Sequence, residues 1–146
     1  MRDGTHEVFL GLGTNMGDRT EQIRTAVALI GERIGHVTRQ SSVIETEPWG
    51  FESSNKFLNA VVCCETTLTP HQLLGATQQI ERDMGRTTKS AKGKTAKPKY
   101  TDRPIDIDIL LYDDITLDEP DLKIPHPLML QRDFVMIPLR EIRDNR

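Results

Sequence analysis

The sequence predicts an α+β domain. Strand-like apolar runs and helix-period apolar stripes follow one another in the order strand, helix, strand, strand, helix, strand. Each is bounded by capping or turn residues. With 146 residues and 36% hydrophobic content, the chain has room for one real core and not for two, so a single domain over residues 1–146 is expected.

Glu7 to Leu12 reads as the first strand, closed by the glycine-rich turn Gly11-Leu12-Gly13-Thr14-Asn15-Met16-Gly17. Asp18 then caps a helix with Glu21 three residues on, and Ile23, Val27, Ile30 and Ile34 form its apolar stripe. A second strand is expected from about His36 to Glu45 and a third from Lys56 to Thr66, joined through Thr46-Glu47-Pro48-Trp49-Gly50-Phe51. Cys63 and Cys64 are adjacent in that third strand, so they face opposite ways and are reduced packing residues. Thr69-Pro70-His71-Gln72 opens the second helix with a cap, a proline in the first turn and a glutamine set for a capping box. Leu73, Leu74, Thr77, Ile80 and Met84 mark its buried side, with Gly85 at its C-terminal end. The last strand carries Asp106 and Asp108, an Asp- and Pro-rich connection leads to Ile124-Pro125-His126, and a short helix runs from about Phe134 to Ile142. The order is the split βαβ arrangement of ferredoxin-like βαββαβ domains, with an antiparallel sheet and helices packed on one face. That architecture hosts many activities, so function has to come from the site.

The most informative run is Arg103-Pro104-Ile105-Asp106-Ile107-Asp108-Ile109-Leu110-Leu111. On a strand, Ile105, Ile107, Ile109 and Leu111 point one way and both carboxylates the other, about 7 Å apart at the backbone. Two such charges repel by roughly 2 kcal/mol at an effective dielectric near 20, so the shared face is either wet or holds a cation. Magnesium bound by carboxylates and phosphate oxygens is one solution. A solvated face with Arg103 as ion-pair partner is the other. Immediately upstream, residues 86–103 hold seven basic residues (Arg86, Lys89, Lys92, Lys94, Lys97, Lys99, Arg103) against the single acid Asp102. The segment thus carries +6 in a chain whose net charge is −3. It reads as a long mobile loop that attracts an anion, or as a solvated loop that aids solubility. Gly93-Lys94-Thr95 imitates the end of a P-loop, but Thr88 stands where the earlier glycine is required. Gln78 and Glu81 lie three apart on one helix face. His126 and Arg132 suit phosphate or a turn equally, and Trp49, Phe57, Tyr100 and Phe134 suit a flat heterocycle or the core.

Together these residues resemble the 6-hydroxymethyl-7,8-dihydropterin pyrophosphokinase family of folate synthesis. The resemblance runs through Gly11-Leu12-Gly13-Thr14-Asn15, Thr46-Glu47-Pro48-Trp49-Gly50, Phe57-Leu58-Asn59-Ala60-Val61, Gln78-Gln79-Ile80-Glu81 and Gly85-Arg86. It continues in Arg103 to Leu110, Ile124-Pro125-His126-Pro127, Arg132-Asp133-Phe134-Val135 and Pro138-Leu139. It implies transfer of a pyrophosphoryl group from ATP to the pterin hydroxymethyl oxygen, with release of AMP. It further implies two magnesium ions on Asp106 and Asp108. The pterin would lie between Phe57 and Phe134, its polar edge met by Asn59 and by Thr46, Glu47, Pro48 and Trp49. Gln78, Glu81, Lys99, Tyr100, Ile109, Lys123, His126 and Arg132 match positions around the nucleotide, and Arg86 and Arg103 match arginines that engage the phosphates. Lys99-Tyr100-Thr101-Asp102 departs from the Arg-Trp-Gly-Pro familiar there, offering a point charge in place of a fork and a smaller ring. A monomeric, cytoplasmic enzyme is expected, with no nucleic-acid or membrane partner, since no apolar run is long enough to span a bilayer. The rivals are a noncatalytic RNA-binding module, disfavoured by the negative charge and scarce aromatics, and a two-metal phosphohydrolase using the same aspartates.

Overall fold

The computed structural model of the chain describes residues 4–15, 18–46, 56–85, 105–127, 129 and 132–143. The basic segment 86–103, Glu47, Pro48 and Trp49 lie outside the described residues.

Strand β1 (His6–Thr14) occupies the middle of the main sheet, antiparallel to β4 (Phe57–Thr66) on one side and to β5 (Asp106–Tyr112) on the other. It extends two residues beyond the expected Leu12. Gly11 and Gly13, read from sequence as part of a turn, are strand residues paired on both sides. The expected second strand is one edge broken in two: β2 (Gly35–Gln40) and β3 (Ile44–Thr46) both pair with β4. Ser41 makes the break. Its N–H donates to the Val61 carbonyl at 2.9 Å, while its hydroxyl, in place of a carbonyl, accepts from Val61 N–H at 2.8 Å. The sheet order is β2-β4-β1-β5, with β3 also on β4.

Helix α1 (Arg19–Arg33) starts where expected, Asp18 Oδ1 accepting from Glu21 N–H at 3.2 Å. Helix α2 (Pro70–Met84) has the complete capping box: Gln72 N–H donates to Thr69 Oγ1 at 3.2 Å and Thr69 N–H to Gln72 Oε1 at 2.9 Å. Gly85 is its C-cap at φ −96°, so the stop does not use the left-handed conformation glycine permits. A small hairpin not foreseen in the sequence, β6 (Leu117–Glu119) with β7 (Leu122–Ile124), fills the connection after β5.

Two cores flank the sheet. Between it and the pair α1 and α2 lie Val8, Leu10, Leu12, Ile23, Ile30, Leu73, Ile80, Ile107 and Ile109. On the opposite face a third helix, α3 (Asp133–Arg143), buries Val135, Met136, Leu139 and Ile142 against Phe9, Val61, Cys63 and Leu110. Cys63 and Cys64 accordingly belong to different cores, as their alternation requires. Leu111 departs from the expected face. Phe9 pairs with Leu111 and Leu10 with Ile109, which leaves Leu110 as an extra residue, shifts the period by one and turns Leu111 toward α3. The far end of α3 is fastened to β2 and the break: Arg39 donates to the Ile142 carbonyl at 3.0 Å and to Glu7 Oε2 at 2.8 Å, and Glu141 accepts from Ser42 N–H at 2.9 Å and its hydroxyl at 2.8 Å.

A Cβ at Gly35 would sit 1.8 Å from the Glu65 carbonyl oxygen, a backbone atom of β4. Gly35→Ala is expected to lower unfolding free energy by about 3 kcal/mol in urea titration. Gly75→Ala, on α2 with nothing within 4 Å of the new carbon, is expected to raise it by about 0.5 kcal/mol.

Burial, reinforced by the charges of Cys63 and Glu65, pushes the Cys64 thiol from 9.0 up to about 12. The unfolded thiol ionises first, so above pH 9 the unfolded chain binds fewer protons than the native one and stability falls toward pH 12. The urea midpoint is expected to drop between pH 8 and pH 10.5, roughly 2 kcal/mol of it through this thiol, and Cys64→Ala to show a shallower drop.

Candidate active site

The site is built on the face of the sheet that α3 covers only in part. Period-two alternation sends Asp106 and Asp108 to this face, opposite to Ile105, Ile107 and Ile109, which are buried under the helices. The register of β1 sets what stands beside them. Gly13 pairs with Asp106 on one side and Asn59 on the other, and Gly11 pairs with Asp108 and Val61. A Cβ on Gly13 would meet Asn59 Oδ1 at 3.1 Å and the Phe57 ring at 3.7 Å. Asn59 and Phe57 therefore project over the same face as the aspartates, with a strip of bare backbone between them.

β5 is an edge of the sheet, and its outward backbone is satisfied by side chains and loops. Glu81 of α2 accepts from Ile107 N–H at 2.7 Å, between the two aspartates. His126 N–H donates to the Leu110 carbonyl at 3.1 Å, and His126 Nε2 lies 3.9 Å from Asp108 Oδ1. Arg132, immediately before α3, is buried, and desolvation pulls its guanidinium below the ordinary arginine value. One arginine hydrogen bond and one ion pair brace the neighbourhood of β3 and β4: Arg19 donates to the Lys56 carbonyl at 2.8 Å and meets Glu45 Oε2 at 2.8 Å, tying together the residues next to Thr46 and Phe57.

The residues singled out in the sequence divide as follows. Asp106, Asp108, Asn59, Phe57, His126 and Glu81 come together around β5, β1 and β4, and Thr46 joins them by pairing with Phe57. Gln78 is exposed one turn before Glu81. Ile109 has its side chain in the main core, so it can offer a ligand only its main chain. Lys123 projects from β7 into an ion pair with Asp118 at 2.6 Å, which holds that carboxyl below its usual value. Glu47, Pro48, Trp49, Arg86, Lys99, Tyr100 and Arg103 lie outside the described residues, and of Phe134 only the backbone, in the first turn of α3, is described. Sequence reasoning passed over Gly11 and Gly13 as floor positions. The signal was present in their two-residue spacing, which matches that of Asp106 and Asp108, but only the register shows that they lie alongside.

Two hard oxygen donors on alternate strand positions, beside bare backbone that leaves room, fit an octahedral dication such as magnesium. Among the described residues, the one cluster of three or more His and carboxylate side chains close enough to share an ion is His71, Glu119 and Asp121. His71 stands ten residues before Glu81 on α2, about 15 Å along the helix, and it is engaged with Glu119 at 2.7 Å.

A family model described as 7,8-dihydro-6-hydroxymethylpterin-pyrophosphokinase matches residues 9–144. The chain is 48% identical over 136 residues to a 2-amino-4-hydroxy-6-hydroxymethyldihydropteridine pyrophosphokinase of Porphyromonas gingivalis, covering 92% of this chain and 89% of that protein. It is 42% identical over 135 residues to the Bacillus subtilis protein of the same name, covering 92% and 76%. Among solved structures, a Plasmodium falciparum HPPK-DHPS triple mutant superposes with a TM-score of 0.71 at 17% identity, over 94% of this chain. The chain spans 40% of that much longer protein, and at this identity the likeness shows the shared fold.

The Glu81 contact predicts a local effect. In Glu81→Ala the Ile107 amide is expected to lose its protection from hydrogen exchange, whereas Glu81→Gln, which keeps an acceptor oxygen, retains it. Equal exchange in all three proteins, followed by NMR, would show that the carboxylate does not hold the edge strand.

Proposed function

The chain belongs to the 7,8-dihydro-6-hydroxymethylpterin-pyrophosphokinase family, and from that membership we infer its reaction. It transfers the pyrophosphoryl group of ATP to the hydroxymethyl group of 6-hydroxymethyl-7,8-dihydropterin, releasing AMP, in folate biosynthesis. The observation that supports it most directly is the pairing across Gly13, with an aromatic ring and an amide on one side and two carboxylates on the other.

The residues divide the work by position. Asp106 and Asp108 would hold magnesium, two ions in the full complex, which would supply positive charge to offset that of the phosphate oxygens. Phe57 stacks on one face of the pterin and Phe134 on the other, while Asn59 pairs with the polar edge alongside Thr46, Glu47, Pro48 and Trp49. Arg132 gives a desolvated, permanently charged fork to a phosphate, and His126, next to Asp108, donates beside it. Gln78, Lys99, Tyr100, Lys123 and the main chain of Ile109 surround the nucleotide. Arg86 and Arg103 meet the charge that develops on the transferring group. Glu81 acts through β5: it fixes the peptide between the two carboxylates and so their spacing. No side chain here is needed as a general base, and rate comes from positioning and electrostatics. Residues 1–146 act as one domain and as a cytoplasmic monomer. Among the described residues, no helix is long and apolar enough to cross a membrane.

Incubation with ATP, magnesium and the pterin is expected to yield AMP and the pterin pyrophosphate in equal amounts, and neither product when the pterin is omitted. ADP or free phosphate formed equally without pterin would replace this reading with a phosphohydrolase. Asp106→Ala and Asp108→Ala are each expected to lower turnover about a hundred- to a thousandfold, with unchanged circular dichroism.

A further inference from the structure

We propose that Gly13 is a specificity-determining position of this site, because its missing side chain forms the floor on which the flat heterocycle lies between Asn59 and Asp106. The inference rests on the reaction assigned above and extends it to a residue that touches substrate only through its absence of a side chain.

Asn59, Gly13 and Asp106 are consecutive partners across three adjacent strands. Two inter-strand spacings separate the outer pair, about 10 Å, the scale of a two-ring heterocycle with a one-carbon arm. A ligand whose polar edge meets Asn59 and whose arm reaches the carboxylates has to cross the middle strand at Gly13. A Cβ there would enter the ligand's side of the sheet, 3.1 Å from Asn59 Oδ1 and 3.7 Å from the Phe57 ring. It would therefore disturb two of the groups assigned to the pterin and, among the described residues, none assigned to the nucleotide. Glycine is not needed for the backbone: among the described glycines only Gly4 has a positive φ. A central strand ordinarily disfavours glycine, which weakens it and leaves nothing to pack. The residue thus runs against local propensity at the one position where the register requires open space.

Gly13→Ala is accessible to strand backbone, and the test compares it with the wild type and with Gly75→Ala, an exposed helix position. Pterin affinity is measured by calorimetry with 6-hydroxymethyl-7,8-dihydropterin and a nonhydrolysable ATP analogue, and KM by AMP formation. The expected result is roughly ten- to a hundredfold weaker pterin binding and a matching rise in pterin KM. The KM for ATP and the melting temperature stay within the range of Gly75→Ala. Gly13→Ser, a second obstruction with a polar tip, is expected to behave alike. Pterin affinity within threefold of wild type in either folded variant overturns the proposal, as does failure of both variants to fold, which would make Gly13 structural. Wild-type protein that binds the pterin without forming AMP would instead sink the transferase reading and leave the floor comparison intact, and wild-type protein that binds no pterin would sink both.

Discussion

The register of β1 against its two neighbours is the constraint from which the rest follows. Because β1 is paired on both sides, a slip of one residue would send every core side chain of Val8, Leu10 and Leu12 to the wrong face. Helices α1 and α2 forbid that slip, since both pack on the same apolar face of the sheet. The consequence reaches the opposite face: once the register is held, Gly13 has to stand between Asn59 and Asp106, and Gly11 beside Asp108. The site is thus positioned by a core with which it shares no side chain.

A sheet with helices on one face leaves the other face to be settled. Here α3 takes part of it, burying Phe9, Val61, Cys63 and Leu110. Its far end is anchored through Arg39 and Glu141. Arg132 is buried at the start of this helix, and desolvation holds its guanidinium below the ordinary arginine value.

In the proposed reaction, rate comes from placement and electrostatics rather than from a proton acceptor. Asp106 and Asp108 stand on the edge strand β5, and Glu81 holds the Ile107 peptide between them. Phe57 and Asn59 stand two strands away on β4, across Gly13. Transfer between two substrates then depends on their relative placement, which a rigid sheet delivers better than a loop.

Much of this was legible in the residues themselves. The caps at Asp18 and Thr69, the stripes of both helices, the opposite faces of Cys63 and Cys64 and the shared face of Asp106 and Asp108 all follow from periods and hydrogen-bonding rules acting within a few residues. What sequence alone determined was therefore local: which segments are strands or helices, and which of their residues point together. Tertiary pairing decided the rest. Gly11 and Gly13 look like a turn until two neighbouring strands claim their backbone, the edge strand breaks only because Ser41 places a hydroxyl where Val61 expects a carbonyl, and Leu111 changes face only because Leu110 is left over between β1 and β5. The side on which α3 packs was equally undetermined, since its apolar stripe is compatible with either face. Each of these depends on hydrogen bonds and contacts between residues far apart in the chain, and no local period carries that information.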